Sequence, residues 1–112
     1  MSLGGNIQDK SFAFAVEVIK FREEVINERH YEIASQFVRS GTGIGANIRE
    51  AQRAESRKDF RHKLQIALKE ADETKYWLEL IEQTIRPVPK ALFDQNEELI
   101  KILVTIIKNT EI

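Results

Sequence analysis

Ser35-Gln36-Phe37-Val38-Arg39-Ser40-Gly41-Thr42-Gly43-Ile44-Gly45-Ala46-Asn47-Ile48-Arg49-Glu50-Ala51 decides how this chain folds. Its apolar residues Ile33, Phe37, Ile44, Ile48 and Ala51 keep the spacing of one helical face, and that face runs straight through three glycines. Each glycine costs a helix about 1 kcal/mol relative to alanine. A helix that carries three of them therefore needs a packing reason, and close approach of a neighbouring helix at Gly41 and Gly45 supplies one. The same glycines resemble the start of a dinucleotide fingerprint, but that motif needs a preceding strand and a glycine at position 46, where alanine stands.

The pattern on either side is helical too. A first helix is expected over residues 9–27, capped by Asp9 or Ser11, after a flexible segment 1–8. The glycine-bearing second helix spans 31–53. Ser56-Arg57-Lys58-Asp59 places an acid three residues after a serine, a variant of the capping box, and opens a third helix running to Thr84. Arg86-Pro87-Val88-Pro89-Lys90 is the clearest linker. A fourth helix follows over 90–109, with Asp94 as an alternative start. Strand-like alternation is absent and the loops are short. The expected fold is all-α: an antiparallel up-down four-helix bundle forming one domain over 9–112.

The helix faces suggest more than a monomer. On the third helix, Phe60, Leu64, Ala67, Ala71, Thr74, Leu78, Ile81 and Ile85 form a core seam, while Ile66, Trp77 and Leu80 fall nearly opposite. The first helix also carries two stripes: Phe12, Val16, Ile19 and Ile26, and roughly opposite them Phe14, Val18, Phe21 and Val25. A surface helix needs only one. Wide core faces are the plainer account of the surplus. A subunit interface is the preferred one, with Phe14, Val18, Phe21, Ile66, Trp77 and Leu80 as its candidate residues.

Composition narrows the function classes. The chain has 112 residues, no cysteine and a net charge of −1. Disulfide frameworks and thiolate metal sites are excluded, and the expected location is the cytoplasm. A whole-surface nucleic-acid binder is disfavoured by the charge. The charge is nevertheless uneven. Residues 49–63 carry six Lys or Arg against three acids, and residues 70–82 carry five acids against one lysine. This order opposes the helix dipole, so helix stability does not explain it. Arg49, Arg53, Arg57, Lys58 and Arg61 are candidate RNA-binding residues, gripping phosphates. Alternatively they meet Glu70, Asp72 and Glu73 of a neighbouring subunit, or form a solvated charged face.

Catalytic groups are sparse. Asp59 and His62 have the spacing of a carboxylate–histidine metal pair, but it occurs once, and bundle metal sites need two. Arg57 and His62 have a spacing found in one family of all-helical ribonucleases, which leaves RNA processing as a minor alternative. No cofactor and no metal are expected. Asn47 and Glu50 are expected to satisfy backbone groups at the turn between the second and third helices. Arg39 is expected to pair with an acid across helices or across subunits.

Arg39-Ser40, Ile44, Asn47-Ile48-x-Glu50-Ala51, Ser56-x-x-Asp59-Phe60 and Ile66-Ala67-x-Lys69-Glu70-Ala71-x-Glu73-Thr74-x-Tyr76-Trp77-Leu78 together resemble a known family. It is that of the small four-helix-bundle proteins encoded in intervening sequences of bacterial 23S ribosomal RNA genes. The resemblance covers most of the chain, from about Phe12 to Ile107. It implies a left-handed antiparallel bundle, often assembled as a homopentameric ring, without an established enzymatic activity. It also implies distant similarity to the pentameric accessory proteins of diversity-generating retroelements, which engage nucleic acid and a reverse transcriptase. Those proteins are strongly basic, whereas this chain is not. The resulting expectation is a non-enzymatic scaffold that self-associates, with structured RNA or a protein as further partner and no membrane contact.

Overall fold

The computed structural model describes residues 4–110. They form four helices: α1 (Gly4–Asn27), α2 (Tyr31–Ala51), α3 (Arg57–Thr84) and α4 (Lys90–Asn109). The longest connections, 52–56 and 85–89, reach about 17 Å at full extension. Helices of this length run about 30–42 Å. Each helix must therefore return alongside the one before it. The contacts agree, because partner numbers fall along one helix as they rise along the other. Ser40 meets Thr74 and Glu50 meets Lys63 across α2 and α3. Lys75 meets Glu97 and Arg61 meets Ile107 across α3 and α4. Lys10 of α1 reaches Glu98 of α4, while Glu24 reaches Arg86 in the linker before α4. The bundle measures 45 × 20 × 20 Å. No helix among the described residues is long and apolar enough to cross a membrane.

The α3 seam is buried from Phe60 through Ile81, as its spacing predicts. Ser56 caps this helix: its hydroxyl accepts from the Asp59 N–H at 3.0 Å, and the Asp59 carboxylate accepts from the Glu55 N–H at 3.2 Å. The α1–α2 turn ends α1 in a Schellman motif. The His30 N–H donates to Val25 O and the Arg29 N–H to Ile26 O, with Arg29 at φ 65° in the left-handed region.

Two expectations for the first helix are corrected. The helix begins at Gly4, so residues 4–8 of the expected flexible segment 1–8 are helical, and residues 1–3 lie outside the described residues. Ile7 is buried in the core, and Ser11 is no cap: it lies mid-helix, buried, with its hydroxyl donating to Gln8 O. The second correction concerns the stripes. Phe14, Val18 and Phe21 belong to this chain's own core, at 0%, 0% and 4% exposure, so they cannot also form a subunit interface. Phe12, Val16 and Ile19 are the exposed set.

The glycines make that choice. A Cβ on Gly41 would lie 2.8 and 2.9 Å from the two Cγ atoms of Val18, and one on Gly45 would lie 3.3 Å from Ser11 Oγ and 3.4 Å from Ser11 O. The missing side chains of α2 receive the Ser11–Val18 stripe of α1, and the Phe12 stripe is turned outward. Gly45 thus faces backbone, as expected, while Gly41 faces a side chain. Gly43 faces α3, where its nearest neighbour is the end of Glu70.

Polar groups cross the core at its middle. Thr74 Oγ1 lies 2.9 Å from Ser40 Oγ and 2.8 Å from Glu70 O, both within hydrogen-bond reach. The Asn96 amide of α4 donates to Ala71 O of α3 at 3.1 Å.

Candidate nucleic-acid interface

Antiparallel packing gathers the start of α1, the end of α2, the start of α3 and the end of α4 at one end of the bundle. Residues 4–12, 46–66 and 99–110 hold nine Lys or Arg against four Asp or Glu. The remaining described residues, 13–45 and 67–98, hold eight against thirteen. The slight net charge therefore conceals a basic end and an acidic end. Sequence reading found the basic corner between α2 and α3 but not Lys10, Lys101 and Lys108, which join the same end from α1 and α4. Their signal was available in the expected up-down order of the helices.

The five candidate RNA-binding residues divide by what they touch. Arg49, Arg53, Arg57 and Lys58 are exposed and form no ion pair among the described residues. Arg61 is partly buried, and its Nε–H donates to Ile107 O at 3.3 Å. That contact satisfies a carbonyl in the last turn of α4, where a cation also complements the helix dipole. Lys63 is occupied by Glu50 at 3.2 Å. Four cations at the helix–turn–helix corner thus remain open to an anionic ligand.

Of the three acids expected to neutralise them across a subunit boundary, Glu70 and Glu73 are engaged within the chain, while Asp72 is exposed. Arg39 of α2 pairs with Glu70 at 3.1 Å and with Glu73, and its Nε–H donates to Gln36 at 3.1 Å. Glu73 also accepts from the Trp77 indole N–H at 3.0 Å. Arg39 therefore stitches α2 to α3 within one chain. Such a half-exposed pair is worth little stability by itself. Its consequence is to withdraw two acids from any external partner.

The remaining motif residues are structural. Asn47 does not reach the α2–α3 turn: its amide donates to Gly43 O at 2.8 Å, one turn back along its own helix. Glu50 also bypasses the turn for Lys63. Ser56 and Asp59 serve the α3 cap. Asp59 and His62 belong to no cluster of potential metal ligands among the described residues. Arg57 and His62, five residues apart on α3, point about 140° away from each other around its axis. They do not converge on one scissile bond.

A family model described as "23S rRNA-intervening sequence protein" matches residues 5–109, almost the whole described chain. This chain belongs to the 23S rRNA-intervening sequence protein family. A solved structure from Bacteroides thetaiotaomicron, described as a protein with unknown function from the S23 ribosomal protein family, is similar at 44% identity. It covers 92% of this chain and 99% of its own, with a TM-score of 0.87. No functionally curated protein matches the chain. Membership in the 23S rRNA-intervening sequence protein family thus fixes the fold and leaves the biochemical role to be argued from this chain's own surface.

Proposed function

We propose that this chain is a non-enzymatic helical scaffold that self-associates and presents its basic end to the phosphates of structured RNA. The separation of charge carries this reading. Four arginine and lysine side chains stand unpaired at one corner, Arg49, Arg53, Arg57 and Lys58, while Glu70 and Glu73 are held by Arg39 of the same chain. A ring would repeat the basic corner once per subunit and turn a local excess into a continuous positive rim. A homopentamer is the ring that the family resemblance implies. Contacts to phosphates alone give weak sequence preference and strong salt dependence. A protein-interaction module without nucleic acid is the second reading, favoured by the exposed apolar stripe of α1.

Fluorescence anisotropy of a labelled RNA hairpin, titrated with the protein over a KCl series, tests the first reading. Light scattering on the same samples reports the assembly. Affinity is expected to fall steeply with salt. The double change Arg53→Glu and Arg57→Glu should weaken binding and flatten the salt slope by roughly 1 per lost phosphate contact. The assembly should be unchanged. Affinity unaffected by the double change would refute the phosphate reading and leave the interaction module in its place.

A further inference from the structure

One exposed aromatic ring stands at the basic end. Phe12, Tyr31 and Tyr76 are the exposed large aromatics among the described residues, and of these Phe12 alone, at 62% exposure, belongs to residues 4–12, 46–66 and 99–110. Beside it a groove of about 360 Å³ opens between α1 and α2. Ala15, Gly45 and Ala46 line this groove, so it is not filled by long side chains from those positions. Its volume falls at the lower end of the range of about 300–1,000 Å³ that small-molecule sites occupy. Val16 and Ile19, further along the exposed stripe, do not line it.

Arg49 lines the same groove, exposed and without an ion pair among the described residues. It stands one turn beyond Gly45 on α2, about 6 Å along the axis, and Arg53 continues the line toward the corner. The neighbouring acids do not cancel it. Glu50, also in the groove wall, is held by Lys63 at 3.2 Å. Asp9 lies about 100° round α1 from Gln8, on the side of Phe12 turned away from the groove. Two hydroxyls add polar atoms to the walls. That of Thr42 donates to Val38 O at 2.7 Å and that of Ser11 to Gln8 O at 3.1 Å, so both oxygens keep the capacity to accept.

We infer that this groove takes the base of one unpaired RNA nucleotide, stacked on Phe12, with the adjoining phosphate at Arg49. The inference rests on the RNA reading proposed above and names the part of the RNA that the basic end selects. A ring set among unpaired cations is the combination that grips single strands: the aromatic side chain takes a base, and the cations take the backbone. In an A-form duplex each base is covered on both faces by its neighbours, so none is offered to Phe12. A loop, bulge or strand end splays bases out and does offer one. Every base has a π-face, so stacking adds affinity with little sequence preference. The strand would leave the groove past Arg49 and reach Arg53 and Arg57 at the corner.

Fluorescence anisotropy with two labelled RNAs tests this: a hairpin with an unpaired loop, and a blunt duplex of its stem. The hairpin should bind more tightly. Phe12→Ala should weaken hairpin binding by about 5- to 150-fold, the span of one base–aromatic stack, and leave duplex affinity and the salt slope unchanged. Phe12→Trp should keep the preference for the hairpin. Ala46→Leu, which narrows the groove from α2 with Phe12 intact, should reproduce the loss. Both positions are exposed, so helical circular dichroism should be retained. A 2-aminopurine in the loop should be quenched on binding the unmodified protein and not on binding Phe12→Ala. Equal affinity for hairpin and duplex, or Phe12→Ala weakening both alike, would overturn the inference while the corner's RNA binding stands. A changed mass for Phe12→Ala in light scattering would overturn it too, by assigning the ring to a contact between copies. Adenosine monophosphate that displaces the hairpin at equal concentration would overturn the RNA source in favour of a free nucleotide. Failure of the unmodified protein to bind either RNA would instead defeat the RNA reading itself.

Discussion

Replacing Gly41 with alanine sets two opposed effects against each other. Alanine improves helix propensity by about 1 kcal/mol. The added methyl would meet Val18 Cγ2 and Cγ1 at 2.8 and 2.9 Å and Val18 Cβ at 3.3 Å. The valine cannot swing away. It is β-branched, has 0% exposure, and its Cβ moves only with the α1 backbone. Overpacking of a closed core costs about 1–3 kcal/mol. Clash exceeds propensity, so Gly41→Ala should lower stability by about 1 kcal/mol net, equivalent to roughly 4 °C in Tm. Gly43→Ala is the internal control. Its methyl would first meet the Glu70 carboxylate, at 3.2 Å, which can yield by a few tenths of an ångström while keeping Arg39, so the propensity gain should survive and stability should rise by about 0.5–1 kcal/mol. Urea denaturation followed by circular dichroism at one fixed protein concentration reads both, since the proposed self-association would make stability concentration-dependent. Val18→Ala then provides the decisive background. With the two Cγ atoms removed, Gly41→Ala should become stabilising, giving a coupling of opposite sign to the single effect. Stabilisation by Gly41→Ala in the unmodified chain would refute the claim that α1 and α2 touch there.

Two further substitutions address helix ends. Arg29→Gly should stabilise by about 0.5–1 kcal/mol, because glycine adopts the left-handed conformation of the Schellman turn without the strain an L side chain meets; thermal unfolding checks it, and a lowered Tm would mean that the arginine side chain contributes more than its backbone costs. Ser56→Ala should destabilise by about 1 kcal/mol through loss of the α3 cap, and Ser56→Asp should restore most of it, as read from urea midpoints at constant m-value.

The sequence made some of these features plain and others undecidable. The α3 seam was legible because only one of its faces is continuously apolar, and the structure buries it from Phe60 to Ile81. The Ser56–Asp59 cap was legible from spacing alone. The α1 core face was not, because Phe12, Val16 and Ile19 are as apolar as Phe14, Val18 and Phe21, and periodicity does not choose between equal stripes. The choice was made on another helix, by the space that Gly41 and Gly45 leave for Val18 and Ser11. Early onset of α1 was hidden by Gly4 and Gly5, which depress helix propensity before Ile7 finds the core. At the candidate site, the basic corner was visible in the local run of charge. What the run did not reveal was the internal use of Arg61 by α4 and of Glu70 and Glu73 by Arg39. Those pairings join residues distant in sequence and appear only when the helices are laid side by side.

The Asn96–Ala71 hydrogen bond has a consequence for how level the bundle's ends are. Seams of leucine, isoleucine and alanine tolerate sliding: a shift of one turn, about 5.4 Å, replaces one apolar contact by another of similar size. Asn96 does not tolerate it, because its buried amide would leave Ala71 O and face hydrocarbon, at about 1–3 kcal/mol for the orphaned group. Ser40 and Thr74, meeting across α2 and α3, mark the same longitudinal position on the other side of the core. These interior contacts act as detents against slippage. They hold the end of α4 against the first turns of α3, where Arg61 meets Ile107, and the end of α2 beside them. The flatness of the charged end, and with it any surface that several phosphates can touch at once, is therefore set by one amide and two hydroxyls that never reach solvent.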